Sequence, residues 1–232
     1  MSVPTVMIDA GVDTVEHICA DLHAAADPDN ATPMAVYMQG HFEFLGVSAP
    51  ERRRLSKPLL TWAKTADPDE LLDVCLRLWD HPARECQYTA MDALRSGARN
   101  LRADDLDAIA RCIMMTPWWD TVDSLAIHTV GTMVQQHPEL VDQMDEWIGS
   151  DDLWIARSAI LHQVTYDDRT DAKRLFSYCE QRMHDTDFFI RKAIGWALRE
   201  YANTDPAAVS AFVQRHQNAL SGLSRREALK HL

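Results

Sequence analysis

Apolar residues recur at helical spacing along much of the chain. In the segment ELLDVCLRLW, one face of a helix would carry Leu71, Leu72, Cys75, Leu76 and Trp79. The shorter segment AAVSAFV has the same spacing, and the sequence contains no Asn-Gly or Asp-Gly turn between alternating strands. The pattern therefore predicts an all-α protein of about a dozen helices, each roughly 10–18 residues long, joined by short loops.

Helix start signals recur where a capping residue stands just before a proline. Ser48-Ala49-Pro50-Glu51 combines a capping serine, a proline near the first turn and an acidic residue, all of which are favourable there. Asp67-Pro68 and Asp205-Pro206 repeat the arrangement, and His81-Pro82 and His137-Pro138 repeat it more weakly. We expect a helix to begin at each of these five places.

A short motif, alanine followed by an aliphatic residue, recurs with a nearly constant period. Successive copies are 36, 33, 34 and 35 residues apart, and the last three share Arg-x-Ala-aliphatic. The copies are Ala90-Met91, Ala126-Ile127, Ala159-Ile160, Ala193-Ile194 and Ala228-Leu229. Coincidence in an alanine-rich chain is the alternative, but a steady period with two helices per repeat is typical of an α-solenoid. We therefore expect stacked helical hairpins that curve around a concave face.

The overall composition is ordinary for a globular protein, with 47% hydrophobic and 25% charged residues. The 232 residues suffice for one large domain or two small ones. No apolar run approaches the roughly 18 residues of a membrane span, and the beginning of the chain lacks the features of a signal peptide. We expect a cytoplasmic protein with no membrane partner.

Cysteine and histidine spacing gives no metal-binding or redox motif. None of the five cysteines forms a CxxC pair, and the ten histidines form no HExxH pattern. The cysteines are expected to be small buried residues in a reducing compartment. We expect no metal and no cofactor.

The charge is unevenly distributed along the chain. The formal net charge is −12, which taken alone argues against a nucleic-acid partner. However, residues 1–30 contain six acidic residues and no lysine or arginine, whereas basic residues cluster later in the chain. If the recurring arginines lie on the inner helices of a solenoid, the concave face is basic and suits a polyanion. In the alternative, the same arginines pair with acidic residues of neighbouring repeats.

One segment, TPWWDTVDSLA, carries candidate chemistry. Trp119 and Asp123 are four residues apart, a spacing that places both on one face of a helix. Arg157 and Trp196 lie on the equivalent helices of the next two repeats, which are neighbours in a solenoid, so the four side chains could face one cleft. The alternative is structural, with the tryptophans in the core and Asp123 solvated or ion-paired with Arg157.

Long blocks of the sequence resemble the AlkD-type DNA glycosylases, the HEAT-like-repeat proteins known as DNA alkylation repair enzymes. The blocks are YMQGHFEFLGVSAPERRRLSKP, LWDHPARECQYTAMDAL, WWDTVDSLA, LWIARSAIL, FFIRKAIGWALREYANTDPAAV and LSRREALKHL. The resemblance covers residues 31–232, which we interpret as a HEAT-like repeat DNA glycosylase domain. Residues 1–30 lie mostly outside it and form an acidic helical segment that is part of the solenoid or leads into it.

The resemblance implies a monofunctional glycosylase that excises N3- and N7-alkylated purines from duplex DNA without flipping the base. Asp123 is then the catalytic carboxylate, facing a wet cationic groove, while Trp119 and Trp196 pack on the deoxyribose and Arg157 holds the DNA backbone. The resemblance implies no cofactor and a monomer that associates with the nucleoid when it is on DNA. The candidate DNA-binding residues are Tyr37, Arg52, Arg53, Lys57, Arg191, Lys192, Arg199, Arg225 and Arg226.

Two other functions remain compatible with the residues. One is a non-catalytic repeat scaffold that binds DNA structures or a protein, since fold alone does not fix function. The other is a protein-interaction solenoid with no nucleic-acid partner, which the net charge favours.

Overall fold

The structure, a computed structural model, describes residues 12–232 and confirms the all-α prediction. The first part of the acidic segment, residues 1–11, lies outside the described residues. Within residues 12–232 there is no strand, only one isolated bridge between Glu43 and Ala83. None of the helices in this range is both long and apolar enough to cross a membrane.

Fifteen α-helices are present between residues 12 and 232, and most are shorter than the predicted 10–18 residues. They run from six to 14 residues, partly because Ser56 ends α3 and directly begins α4, and because a π-helical segment, Leu125–Val130, separates α8 from α9. The helices are α1 Val12–Ala24, α2 Pro28–Tyr37, α3 Ala49–Leu55, α4 Lys57–Trp62, α5 Pro68–Trp79, α6 Arg84–Gly97, α7 Leu106–Met114, α8 Trp119–Ser124, α9 Gly131–Gln136, α10 Leu140–Trp147, α11 Leu153–Leu161, α12 Ala172–Arg182, α13 Phe188–Tyr201, α14 Pro206–Arg215 and α15 Gly222–Ala228. Short 3₁₀ turns occupy Ala98–Asn100, Ala103–Asp105 and Asp167–Arg169.

The three stronger helix starts are confirmed, whereas the helices near His81-Pro82 and His137-Pro138 begin only at Arg84 and Leu140, without a side-chain cap. The side chains of Ser48, Asp67 and Asp205 accept hydrogen bonds from the first-turn backbone N–H groups of α3, α5 and α14. Each cap satisfies a donor that has no partner within its own helix.

The chain divides into two compact units, the first ending at Ala108 and the second comprising Ile109–Leu232. In the first unit, α5 and α6 form a hairpin, and α1 packs against α3, α5 and α6. The apolar face of α5 is buried as predicted, with Leu71, Cys75 and Trp79 at most 1% exposed. The described part of the acidic segment therefore packs into the first unit through α1.

In the second unit, consecutive helical hairpins stack on one another. The second helices of the hairpins form one layer, because α11 contacts α8, the π-helical segment and α13, and α13 contacts α15. The first helices, α10, α12 and α14, pack against this layer. The motif alanines within the second unit lie in the layer and are fully buried: Ala126, Ala159, Ala193 and Ala228. The predicted repeat is thus the unit of an α-solenoid, with the motif alanine buried in the layer of second helices.

Candidate functional site

The two adjacent tryptophans at the start of α8 lie in different surroundings. Trp118 precedes the helix and packs in an aromatic cluster, with ring centroids 5.9 Å from Trp154 and 5.1 Å from Phe189. Trp119 is the first residue of α8 and lines an open cleft. Thr116, just upstream, adopts a φ of 47°, a conformation that strains a β-branched residue. One tryptophan therefore anchors the strained loop, and the other is presented to the cleft.

A π-helical segment begins at Leu125, two residues after Asp123. The wider π turn changes the register of α9 relative to α8, and such segments are frequent at functional sites. Asp123 is thus held in a short regular helix between the strained loop and the π-helical segment.

Asp123 and Arg157 form a bidentate ion pair between neighbouring repeats. Arg157 donates from Nε to Oδ1 at 2.7 Å and from Nη2 to Oδ2 at 2.8 Å, and it also donates from Nη1 to the carbonyl oxygen of Phe189. The Arg157 side chain is only 3% exposed and the Asp123 side chain 14%. The structural alternative for this pair, an ion pair across repeats, is therefore present in the molecule.

This geometry corrects the expected environment of both residues. Asp123 lies largely out of water rather than in a wet groove, and Arg157, rather than solvent, balances its charge. Burial raises the pKa of the Asp123 carboxyl above its ordinary value, and the Arg157 guanidinium offsets part of that rise. The Arg157 guanidinium is engaged within the protein, so in this conformation its first effect is to hold and orient Asp123.

Two open clefts of about 430 and 460 Å³ meet at the same three side chains. Trp119, Asp123 and Trp196 line both of them. The first cleft is completed by Arg157, Phe188, Phe189, Lys192, Arg199, Glu227 and Lys230, and the second by Asp120, Ser124, Ile127, His128, Val164, Thr165 and Glu200. The first cleft thus brings together the four side chains Trp119, Asp123, Arg157 and Trp196.

Two glutamates at the edge of the clefts hold neighbouring basic and aromatic side chains in place. Glu227 lies 2.8 Å from Lys192 Nζ and 2.9 Å from Arg199 Nη1, and the hydrogen bond from Lys192 lowers the pKa of the Glu227 carboxyl below its ordinary value. Glu200 accepts the indole N–H of Trp196 at 3.0 Å and also contacts Arg199. Glu200 therefore fixes the plane of the Trp196 ring, and Glu227 neutralises cations that face the first cleft.

Most of the candidate DNA-binding residues of the second unit are engaged within the protein. Arg191 donates to the carbonyl of Asp185 at 2.8 Å, and Arg225 donates to that of Gln217 at 2.8 Å. Arg226 is exposed on α15. Of the second-unit candidates, Lys192 and Arg199 line the cleft that holds Asp123.

The candidates of the first unit divide by exposure. Tyr37 is 71% exposed, and the Arg53 and Lys57 side chains are also exposed. The Arg52 side chain, by contrast, is 4% exposed, with Nη1 2.9 Å from Asp92 Oδ2 and its guanidinium 5.4 Å from the Tyr88 ring centroid. In this conformation Arg52 is a buried structural cation, while the other three can meet a ligand.

Sequence reasoning missed the two glutamates, although the repeat period contains a signal for one of them. Glu227 lies 35 residues after Lys192, just as Arg157 lies 34 residues after Asp123. Glu200 lies four residues after Trp196 on α13, a spacing that places the two side chains on one helical face. Among the described residues, the group of side chains that could share a metal ion lies elsewhere, at Cys19, His81 and Cys86 of the first unit.

Comparison with known proteins gives consistent results. Residues 18–232 match the family described as DNA alkylation repair enzyme. The structure is similar to that of a predicted DNA alkylation repair enzyme from Enterococcus faecalis, with a TM-score of 0.83 and 30% identity over 89% of this chain and 96% of the other. It also shares its fold with smu.31 from Streptococcus mutans UA159, with a TM-score of 0.61 and 16% identity over 76% and 90% of the two chains. Among curated proteins, none matches significantly.

Proposed function

This chain belongs to the DNA alkylation repair enzyme family, and we propose that it is a DNA glycosylase that excises N3- and N7-alkylated purines from duplex DNA. The family supports a role in the repair of alkylated DNA. The observation that carries the finer proposal is the position of Asp123, which lies beside two tryptophans where two open clefts meet.

The chemistry required of such an enzyme matches these residues. Alkylation at N3 or N7 gives a purine a positive charge, so the base departs as a neutral molecule with the electrons of the glycosidic bond. The deoxyribose then carries the developing positive charge, and a fixed carboxylate stabilises it electrostatically. Water attacks the sugar carbon, its proton passes to the carboxylate or to solvent, and an abasic site remains. No general acid is needed for departure of the base.

The tryptophans would act through their ring faces. An indole face carries a negative quadrupole that attracts a cationic sugar, and its bulk excludes water from the reacting bond. Trp196 is suited to this role because its N–H is held by Glu200, which leaves the ring plane fixed.

Arg157 would act as a positioning residue in this mechanism. Each Asp123 oxygen accepts one hydrogen bond from the guanidinium and keeps further lone-pair capacity. The ion pair stabilises the ionised form of the largely buried Asp123 carboxyl, since an uncompensated buried carboxylate tends to take up a proton.

The open form of both clefts favours a reaction on a base that stays in the duplex, with contacts to sugar and phosphate. Such a mode tolerates large alkyl groups, because no closed pocket must accommodate them. Normal excision of methylated purines together with complete failure on bulky adducts would contradict this part of the proposal.

The decisive experiment measures release of 7-methylguanine and 3-methyladenine from methylated duplex DNA. We expect Asp123→Asn to lower the rate by about 10²–10³-fold, the usual loss when one electrostatic stabiliser is removed. Asp168→Asn, an equal change at an exposed acid of the same unit, is the matched control and should keep the wild-type rate. Asp123→Asn leaves the buried Arg157 with a neutral partner and should lower the melting temperature, so the rates are compared at a temperature at which circular dichroism shows both variants folded and both bind unmodified duplex.

A non-catalytic scaffold is the second candidate. The observation that favours it is the buried Asp123–Arg157 pair, which also serves as a structural link between repeats. Duplex binding by the wild type with no release of either base would select the scaffold and overturn the glycosylase.

A further inference from the structure

Three side chains with metal-ligating atoms converge in the first unit, one from α1 and two from the chain around the start of α6. Cys19 lies on α1, Cys86 in the first turn of α6 and His81 in the loop before α6. One ligand atom from each lies within 4.8 Å of the others. Both cysteines are buried and their sulfurs are 3.5 Å apart although 67 residues separate them, which explains why no CxxC pair marks the group.

The distances resemble those of a tetrahedral metal site. Two thiolates on one Zn²⁺, each with a Zn–S bond of about 2.3 Å, lie roughly 3.8 Å apart, close to the separation found here. Two sulfur and two nitrogen ligands in a tetrahedron are typical of zinc. Two thiolates also balance the charge of Zn²⁺, which suits a largely buried position.

A fourth ligand is available on α1. His23 follows Cys19 by four residues, so both lie on the same helical face, and its ring centroid is 5.5 Å from that of His81. The His23 side chain is exposed, so its ring can turn toward the group without disturbing the core.

We propose that Cys19, His81, Cys86 and His23 bind one Zn²⁺ ion that fastens α1 to the start of α6. Binding has a local cost, because His81 Nδ1 accepts the Ala83 N–H at 3.2 Å, and ligation through Nε2 places a proton on Nδ1. One neutral hydrogen bond stabilises far less than a structural zinc ion does. The site does not rest on the proposed glycosylase, since none of its residues lines the clefts.

The test uses the full chain, reduced and freed of metal with a chelator, and titrated with Co²⁺ as a spectroscopic substitute for Zn²⁺. We expect one equivalent to bind, with a thiolate-to-cobalt charge-transfer band and the visible bands of a tetrahedral ion, and Zn²⁺ to displace it. Cys19→Ser and Cys86→Ser should each weaken binding by at least about 100-fold, more than loss of an outer partner does. Cys75→Ser, which changes another buried thiol of the same unit, should bind as the wild type does.

His23→Ala provides a variant that leaves the core intact. It should keep the thiolate band but bind more weakly, and Zn²⁺ should raise the melting temperature of the wild type more than that of this variant. Absence of a thiolate band in the reduced wild type would overturn the proposal. So would a band of equal strength in Cys19→Ser, or equal Co²⁺ affinity in the wild type and His23→Ala.

Discussion

At the residue scale, the pair of Asp123 and Arg157 links the stability of the second unit to the ionisation of one carboxyl group. The carboxylate is largely buried, with 14% of its side chain exposed, and it is balanced by a single guanidinium that is 3% exposed. Removing one partner of such a pair costs much more than the pair contributes, because the other charge remains buried without compensation. Replacing Arg157 should therefore lower the free energy of unfolding by an amount that depends on pH.

We predict that Arg157→Gln lowers the free energy of unfolding by about 3–5 kcal/mol at neutral pH, and by less as the solution becomes acidic. Burial already raises the pKa of Asp123 in the folded protein, and loss of the arginine raises it further above the unfolded value. A group with a raised pKa favours folding below its unfolded pKa, and this contribution disappears as the pH rises through the folded pKa. The loss of unfolding free energy in Arg157→Gln is therefore greatest at pH values at which Asp123 would have to ionise.

Denaturant unfolding at several pH values measures this deficit. Arg169→Gln, which removes an exposed arginine of the same unit, should change stability little at any pH. An Arg157→Gln deficit that stays constant from neutral to acidic pH would contradict the predicted link to Asp123.

The repeat period predicted which residues of the site lie close together, but not how deeply they are buried. Asp123 and Arg157 stand one repeat apart, so their proximity followed from the repeat, whereas the burial of the pair depends on how closely the helices pack. Arg52 shows the same limit of local sequence. Its cluster of basic neighbours indicated a surface role, but Asp92, 40 residues later, holds it inside the first unit.

At the element scale, the distance between stacked helices in the second unit is set by small residues. At Gly195 on α13, an added Cβ would lie 2.5 Å from the Cβ of Glu227 and 2.9 Å from the carbonyl oxygen of Ser224, both on α15. Atoms of the helix backbone and its first side-chain carbon cannot move aside without moving α15 itself.

We predict that Gly195→Ala destabilises the protein by about 1–3 kcal/mol, the usual cost of overpacking, although alanine is the better helix former. Thermal unfolding measures this destabilisation, and for a chain of this size the melting temperature should fall by about 2–4 °C per kcal/mol. Gly149→Ala is the matched control, because its added Cβ would meet only the Glu146 carbonyl at 3.5 Å, an ordinary contact. Equal melting temperatures for Gly195→Ala and the wild type would show that α13 and α15 separate at no cost.

Element boundaries could be predicted where a capping side chain marks them. Three helix starts could be predicted from Ser48, Asp67 and Asp205, because each side chain accepts a hydrogen bond from a backbone N–H two or three residues later. The π-helical segment Leu125–Val130 has no comparable signal, because no side-chain capping hydrogen bond marks its beginning. The predicted helix lengths were too long for the same reason, as periodicity continues through such interruptions.

At the scale of the whole molecule, the net charge of −12 is unfavourable for binding a polyanion. The local charge at the first cleft is also unfavourable for a polyanion, because Glu227 neutralises both Lys192 and Arg199. The affinity for DNA should therefore depend on whether phosphate replaces Glu227 as the partner of these two cations.

We predict that Glu227→Gln binds duplex DNA more tightly than the wild type and with a steeper salt dependence. Each additional phosphate neutralised by a cation steepens the slope of log K against log salt by about 0.9, so release of two cations should steepen it by roughly 1–2. Fluorescence anisotropy with an unmodified duplex over a range of salt concentrations measures the slope. Glu146→Gln changes the net charge equally at an exposed site of the same unit and separates the local effect from the global one. If both variants gained affinity equally, the cations of the first cleft would not be phosphate contacts, and binding would follow total charge alone.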